Sequence, residues 1–276
     1  MTIDYKNKSV IITGAGTGIG RALSLELASR GAIVYATALT QDEAQGVVDA
    51  ITAAGGTAHA AKLDVCDNTD LRAVIDRVIT EQGQLDLIIN NAGVAFVGEF
   101  YDMDEGAVES LIAVNLTAVT MGCLYAYRQM KAQGFGQILN ISSMGGFMPA
   151  PAMAVYTATK HGVLGLTNTL AVEAKDFGID VQAACLGNVQ SELLNKSDGV
   201  AGSAKTFGAI IPKAAPTDKV AAQIIDRLSR RKHPVFAPSY AGFVWRLMRA
   251  FPRLLIKGSG DTMRKYRKAM AEDGGA

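Results

Sequence analysis

The sequence predicts an α/β fold: a doubly wound parallel sheet of about seven strands, helices on both faces, and a helical extension at the C-terminal end. Three observations carry this. Short apolar runs alternate with amphipathic helical patterns, as repeated βαβ units with right-handed crossovers require. The first apolar run passes through a glycine-rich turn directly into a helical pattern. No internal repeat or low-complexity tract breaks the alternation.

Ser9-Val10-Ile11-Ile12 is β-branched and apolar, the composition of a buried parallel strand. It leads into Thr13-Gly14-Ala15-Gly16-Thr17-Gly18-Ile19-Gly20, and a helical pattern from Arg21 to Ala28 follows, closed by Gly31. Strand, glycine turn and helix together make a phosphate site. Glycines admit a pyrophosphate close to the backbone, and the helix N-terminus attracts its charge. The spacing here is Gly-x-x-x-Gly-x-Gly, through Gly14, Gly18 and Gly20. The next strand, Ala32 to Thr37, ends where an adenosine ribose would lie. An NAD site usually places a carboxylate there. This chain has Ala36-Thr37-Ala38-Leu39-Thr40, so NADP is favoured over NAD, with Thr37, Thr40 and Arg21 as donors to a 2′-phosphate.

Further strands are expected at Ala58–Leu63, Leu85–Asn90, Gln137–Ile141, Asp180–Cys185 and His233–Ala237, with helices between them. From Gly187 to Pro216 the periodicity fades, and a segment of that length after a core strand reads as a lid. Its apolar members (Leu193, Leu194, Phe207, Ile210, Ile211), with Phe96, Phe100, Phe147, Met148, Pro149 and Met153, offer a nonpolar substrate wall. A lipophilic ketone or secondary alcohol suits that wall better than a small anion.

Residues 1–238 then form the dinucleotide-binding domain, and residues 239–276 a basic extension. Residues 240 to 270 hold eight cations against Asp261 alone, a net +7, while the whole chain carries only +1. Phe243, Val244, Leu247, Met248 and Phe251 make an apolar helical stripe opposite Arg246 and Arg249, and Pro252 is placed to start a further helix. Packing on its own subunit or across a dimer, as a roof on the pocket, is the favoured expectation. Peripheral contact with an anionic membrane is the alternative. No nucleic-acid motif accompanies the charge, so no nucleic-acid partner is expected.

At 276 residues, 49% hydrophobic and 19% charged, the chain can bury one large core. It contains no run of about 18 uninterrupted apolar residues, and its first six residues lack an apolar signal core. Cys66, Cys123 and Cys185 are few and scattered, as are His59, His161 and His233. Neither a disulfide framework nor a metal site is expected, and a reducing cytoplasm is.

The chemistry concentrates on Tyr156 and Lys160, four apart on a predicted helix and so on one face, with Ser143 thirteen residues before the tyrosine. At about 4 Å and an effective dielectric near 20, the ammonium would favour phenolate by about 4 kcal/mol. A phenol starting near 10 would then fall toward roughly 7, where it serves as a general acid/base. A second Tyr-x-x-x-Lys pair, Tyr127 with Lys131, has Val114 at the equivalent upstream position and ends an apolar helix; it reads as structural.

With the glycine turn, Asn90-Asn91-Ala92-Gly93, Ser143 and Tyr156-x-x-x-Lys160 in order, the chain resembles the short-chain dehydrogenase/reductase family from about residue 6 to 235. The resemblance implies a Rossmann-like fold, a nicotinamide cofactor and a homodimer or homotetramer. It implies that Ser143 polarises the substrate carbonyl, that Tyr156 exchanges the proton, and that Lys160 lowers the tyrosine pKa and holds the nicotinamide ribose. Asn115 would position a water in the proton relay. Cofactor contacts would come from Gly14, Thr17, Gly18, Ile19, Gly20, Thr37, Asp64, Val65, Asn91, Ala92, Gly93, Val189 and Ser191. Ala36-Thr37-Ala38 resembles the NADPH-using ketoacyl reductases of the family. Two positions depart from the pattern. Leu186-Gly187 stands where Pro-Gly is common, which predicts a looser turn, and Thr17 stands where many NADP-preferring members carry a basic residue. The alternatives are a 3-ketoacyl thioester reductase and, in another class, a dinucleotide-binding regulator without turnover, which would have no need of Ser143, Tyr156 and Lys160.

Overall fold

The structure, a computed structural model, describes residues 3–190, 193 and 198–273. Its strands are β1 (Ser9–Ile12), β2 (Ile33–Ala38), β3 (Thr57–Lys62), β4 (Leu87–Asn90), the two-residue β5 (Phe96–Val97), β6 (Gly136–Ser143), β7 (Ile179–Leu186), the two-residue β8 (Asp198–Gly199) and β9 (Val235–Ala237). Seven of them form one parallel sheet in the order β3-β2-β1-β4-β6-β7-β9, and β5 pairs separately with β8. The order turns back between β1 and β4, which opens a crevice at the carboxyl ends of those strands.

The helices are α1 (Gly18–Ser29), α2 (Gln41–Ala53), α3 (Asn68–Gln82), α4 (Glu105–Ile112), α5 (Ala118–Gln133), α6 (Ala154–Glu173), α7 (Ser203–Ile210), α8 (Thr217–Ser229), α9 (Tyr240–Ala250) and α10 (Pro252–Asp273). Successive strand residues point to opposite faces, so each strand feeds two cores. Val10, Ile12, Val34 and Ile89 pack with Leu23 and Leu27 of α1, Ile51 of α2, and Ile224 and Leu228 of α8. Ile11, Ile88 and Ile138 pack instead with Leu71 and Val78 of α3, Val119 and Met130 of α5, and Val163 of α6. This two-sided burial is why the strands read as apolar runs and not as alternating ones.

Some boundaries differ from expectation, for local reasons. β4 begins at Leu87 because the Gln133 side chain takes both Leu85 backbone groups, at 2.9 and 3.0 Å. Within the continuous helical run Glu105–Gln133, an 18-residue window reaches a mean hydropathy of 1.6, apolar and long enough to cross a membrane by composition. Its inner face, including Val119, Cys123, Ala126 and Met130, lies in the core against the sheet. The segment from Gly187 to Pro216, expected to be irregular, contains β8 and α7. With Gly208 inside it and only 8 residues, α7 has weak intrinsic propensity, and α10 packs along it.

The extension forms two helices, with Pro252 opening the second as expected. Its expected apolar stripe is not the docked face: Phe243 and Phe251 remain 67% and 60% exposed and Val244, Leu247 and Met248 are half-buried, while Ala241 and the half-buried Trp245, outside that stripe, dock on Phe236 of β9. α10 lies over α7, within its own subunit.

β4 and β6 are joined at the site end by a buried polar chain. Asn90 Nδ2 donates to Asn140 Oδ1 at 2.8 Å, and Asn140 Nδ2 donates to Thr167 Oγ1 on α6 at 2.9 Å. α5 comes close because a Cβ on Gly122 would stand 2.3 Å from Asn90 Oδ1. Buried polar groups deprived of a partner are costly, so Asn140→Ala is expected to destabilise the fold by about 2–3 kcal/mol in urea unfolding.

Candidate active site

Three strand ends converge in the crevice. The turn after β1 uses the left-handed region at Gly14 (φ +60°) and Gly18 (φ +54°). Gly20 faces the same turn so tightly that a Cβ there would stand 2.2 Å from the Gly14 carbonyl oxygen. Thr17 precedes α1 but makes no side-chain cap, so the first amides of the helix are left to other acceptors. β4 braces this turn. Thr13 Oγ1 accepts the Asn91 and Ala92 N–H groups at 2.9 and 3.0 Å, and Asn91 Nδ2 donates to the Thr13 and Gly14 carbonyls at 2.8 and 3.0 Å.

The cradle fits a dinucleotide: glycines where a Cβ would block, an uncapped helix start, and a small hollow beside it. Thr13, Val65, Leu71, Asn90, Ala92, Val114, Ala118 and Val119 line that hollow. Of the expected cofactor contacts, Val65 and Ala92 line the hollow, Gly14, Thr17, Gly18, Ile19 and Gly20 make the turn and helix start beside it, Gly93 follows Ala92 toward Lys160, and Asp64 is exposed with its Oδ1 accepting the Cys66 N–H. Val189 lies in the turn after β7, bridged to Ala215. Ser191 and Leu194 lie outside the described residues.

One expected contact is corrected. Thr37 is fully buried and its hydroxyl donates to the Ile12 carbonyl at 3.0 Å, so it has no hydrogen to offer a phosphate. The Asn91 side chain braces the glycine turn, with its Oδ1 buried and unpartnered. The turn at Leu186-Gly187 is also firmer than the missing proline suggested. Leu186 pairs with Ala237, the Gly187 N–H reaches the Ala237 carbonyl at 3.0 Å, and the Asn188 N–H donates to Tyr240 Oη at 2.9 Å. Tyr240, and Glu43 whose Cβ backs Gly16, are neighbours that local sequence gave no sign of.

Ser143 ends β6, and its Oγ accepts the Gly145 N–H at 3.1 Å. That leaves its proton for Tyr156, to which it is hydrogen-bonded. Tyr156 and Lys160 lie on adjacent turns of α6, and both are buried. Lys160 Nζ donates to the Ile141 carbonyl at 3.0 Å and lies 5.6 Å from the Tyr156 ring centroid. A Cβ on Gly93 would come within 3.7 Å of that ammonium, so the loop after β4 stands against it. Asn115 sits in a π-helical turn (Ala113–Thr117) between α4 and α5. Its amide meets Val94 at both ends, accepting the N–H and donating to the carbonyl at 2.9 Å each, so its side chain shapes the loop after Gly93. The control pair lies at the other end of α5, where Tyr127 meets the Phe177 ring edge-on and Lys131 stands over it.

The electrostatics correct the expected tuning of the phenol. Burial raises the Tyr156 pKa, with the Ser143 hydrogen bond opposing it, and burial pushes Lys160 down to about 8. Desolvation is the leading cause at both groups. Tyr156 thus stays protonated through neutral pH.

The wall around Tyr156 is apolar: Phe96, Val97, Leu111, Met153, Phe207 and Tyr266, with Leu193, Ile210, Ile211, Met263 and Met270 partly buried against them. Phe147 packs elsewhere, on Phe236, and Phe100 is 66% exposed, so neither forms part of it. Tyr266 arrives from α10, pinned by paired hydrogen bonds from Arg267 to Glu99 at 2.9 and 2.5 Å.

Comparison with known proteins agrees with this geometry. The family profile described as short chain dehydrogenase matches residues 8–199. A cyclohexanol dehydrogenase of Acinetobacter sp. (strain SE19) is 36% identical over 197 residues, 70% of this chain and 78% of that protein. A 3-oxoacyl-[acyl-carrier-protein] reductase of Staphylococcus epidermidis is 36% identical over 192 residues, 68% of this chain and 78% of that one. A short-chain dehydrogenase from Sphingobium yanoikuyae, solved in complex with NADPH, superposes with a TM-score of 0.78 at 27% identity, covering 91% of this chain and 95% of that chain.

A lysine whose pKa is lowered by folding is protonated more readily in the unfolded chain. Stability from this group therefore rises with pH between about 8 and its ordinary 10.5, and the penalty is complete below about 8. The difference in urea stability between the ligand-free parent and Lys160→Met, followed across that range, is expected to show this increment; Cys123 and Cys185, raised by burial to about 12, lower the stability of both proteins equally above about pH 9.

Proposed function

This chain belongs to the short-chain dehydrogenase family, and from that premise we propose that it interconverts a lipophilic ketone and its secondary alcohol, with NADP preferred over NAD and Tyr156 as general acid/base. The observation that carries the reading is Tyr156, buried, hydrogen-bonded to Ser143, one helical turn from Lys160 and open to an apolar wall. When bound, the dinucleotide supplies or accepts the hydride. The remaining work belongs to the chain. Ser143 donates to the substrate oxygen and holds the carbonyl against the phenol. In the reducing direction Tyr156 gives that oxygen its proton, a role suited to a phenol that stays protonated at neutral pH. The Lys160 ammonium stabilises the phenolate left behind and reaches the nicotinamide ribose. Asn115 holds Val94 and, through it, the loop that flanks Lys160.

NADP is supported by the end of β2, where Ala38 and the exposed Leu39 bring no carboxylate and the exposed Thr40 follows, and by Arg21, which adjoins the phosphate cradle. The relative solved with NADPH agrees. Glu43 beside Gly16 limits that preference, so NAD remains an acceptable cofactor. Residues 1–238 act in this reading as the catalytic domain of a cytoplasmic homo-oligomer, and 239–276 as the extension that completes its substrate site. A second reading, reduction of a 3-ketoacyl thioester, is favoured by the similarity to the acyl-carrier-protein reductase and by exposed Arg264, Lys265 and Lys268 on α10, which suit a carrier's phosphate. Parallel assays of neutral ketones and ketoacyl thioesters with each cofactor, followed at the nicotinamide absorbance, separate the two.

Tyr156→Phe is expected to lower turnover at least ~10²-fold while dinucleotide binding, measured by fluorescence titration, persists. Near-normal turnover would refute the acid/base assignment. Tyr266→Ala opens the wall from α10 and is expected to change KM among ketones of different bulk, with cofactor affinity unaltered. Unchanged KM values across such a series would remove α10 from the substrate site.

A further inference from the structure

The extension is anchored at two places and exposed between them. At one end Ala241 and Trp245 hold α9 against β9. At the other, Met263, Tyr266 and Met270 pack into the wall around Tyr156, and Ser259 Oγ donates to the Pro149 carbonyl. The joint between them projects: every residue from Arg249 to Leu254 is exposed, and so are Ile256, Lys257 and Gly258. Phe243, Phe251, Leu254 and Ile256 are 67, 60, 60 and 52% exposed. Among them stand Arg246, Arg249, Arg253 and Lys257, all exposed, and no acidic residue occurs from Tyr240 to Gly260.

We propose that this joint docks on an anionic lipid bilayer, its aromatic and aliphatic side chains entering the headgroup boundary and its four cations pairing with lipid phosphates. Large apolar side chains gathered on a surface call for a cover. Cations mixed with them and no carboxylate select a cover that is apolar and anionic together. A second copy of this chain meets the first condition and not the second, because a two-fold contact through this patch would set its cations against themselves. The rest of the chain carries the opposite net charge, since the total is only +1, so the field turns the joint toward a negative surface. The same helix that leaves the joint roofs the pocket, which places the pocket beside the phase that holds lipophilic substrates. The docking stands apart from the redox reading, because it is measured without turnover.

The test is co-sedimentation of the full-length protein with phosphatidylcholine vesicles containing or lacking phosphatidylglycerol. Binding to the anionic vesicles, weakened by salt, is expected, with little to the neutral ones. Phe243→Ser with Phe251→Ser, and separately Arg246→Gln, Arg249→Gln, Arg253→Gln and Lys257→Gln together, are each expected to weaken it about tenfold or more. Dinucleotide titration of both variants verifies that they fold. Absence of binding at low salt, or equal binding by folded variants, overturns the proposal. So does a serine variant that dissociates an oligomer in sedimentation velocity while the parent ignores vesicles, which would make the patch an interface between copies.

Discussion

A buried ammonium at the carboxyl end of a parallel sheet is the constraint around which the rest of this molecule is arranged. Lys160 is almost wholly removed from water, and it donates to the Ile141 carbonyl. A charge in that position is tolerated only where the backbone around it is fixed, because loss of solvent is recovered through a few well-placed dipoles. β6 supplies that backbone. It is paired along both edges, and Ser142 Oγ donates to the Lys160 carbonyl at 3.1 Å, so strand and helix keep a single relation. Ser143 then falls beside Tyr156 as a consequence of the same register.

The opposite wall of the crevice is held by polar side chains that serve each other. Thr13 and Asn91 join the glycine turn to the end of β4, while Asn90 and Asn140 join β4 to β6. Several motif residues thus brace the loops of the site. Asn115 is the clearest case: a π-helical turn carries it inward, and both ends of its amide close on Val94. Preorganisation of this kind is what a site for hydride and proton transfer needs, since small displacements of reacting groups are costly in rate. The C-terminal helices add a wall that can vary without disturbing this frame, because they touch the site through side chains and lie outside the sheet.

Much of this was legible in the chain by itself. Apolar runs buried on two faces specify a parallel sheet, a glycine turn between strand and helix specifies a phosphate cradle, and the spacing of Tyr156 and Lys160 specifies a shared helical face. Each is a local rule with a short period, so local sequence suffices. Tertiary structure alone decided the rest. Thr37 lies on a strand whose outward and inward positions look alike in sequence, and packing turned it inward to Ile12. The strength of desolvation at Tyr156 depends on every element that excludes water from it, including Phe207 and the distant Tyr266. The return of α10 across α7, fixed by Arg267 and Glu99 168 residues apart, has no periodic signature, because such a contact is selected by the shape and charge of surfaces that exist only once the sheet has formed.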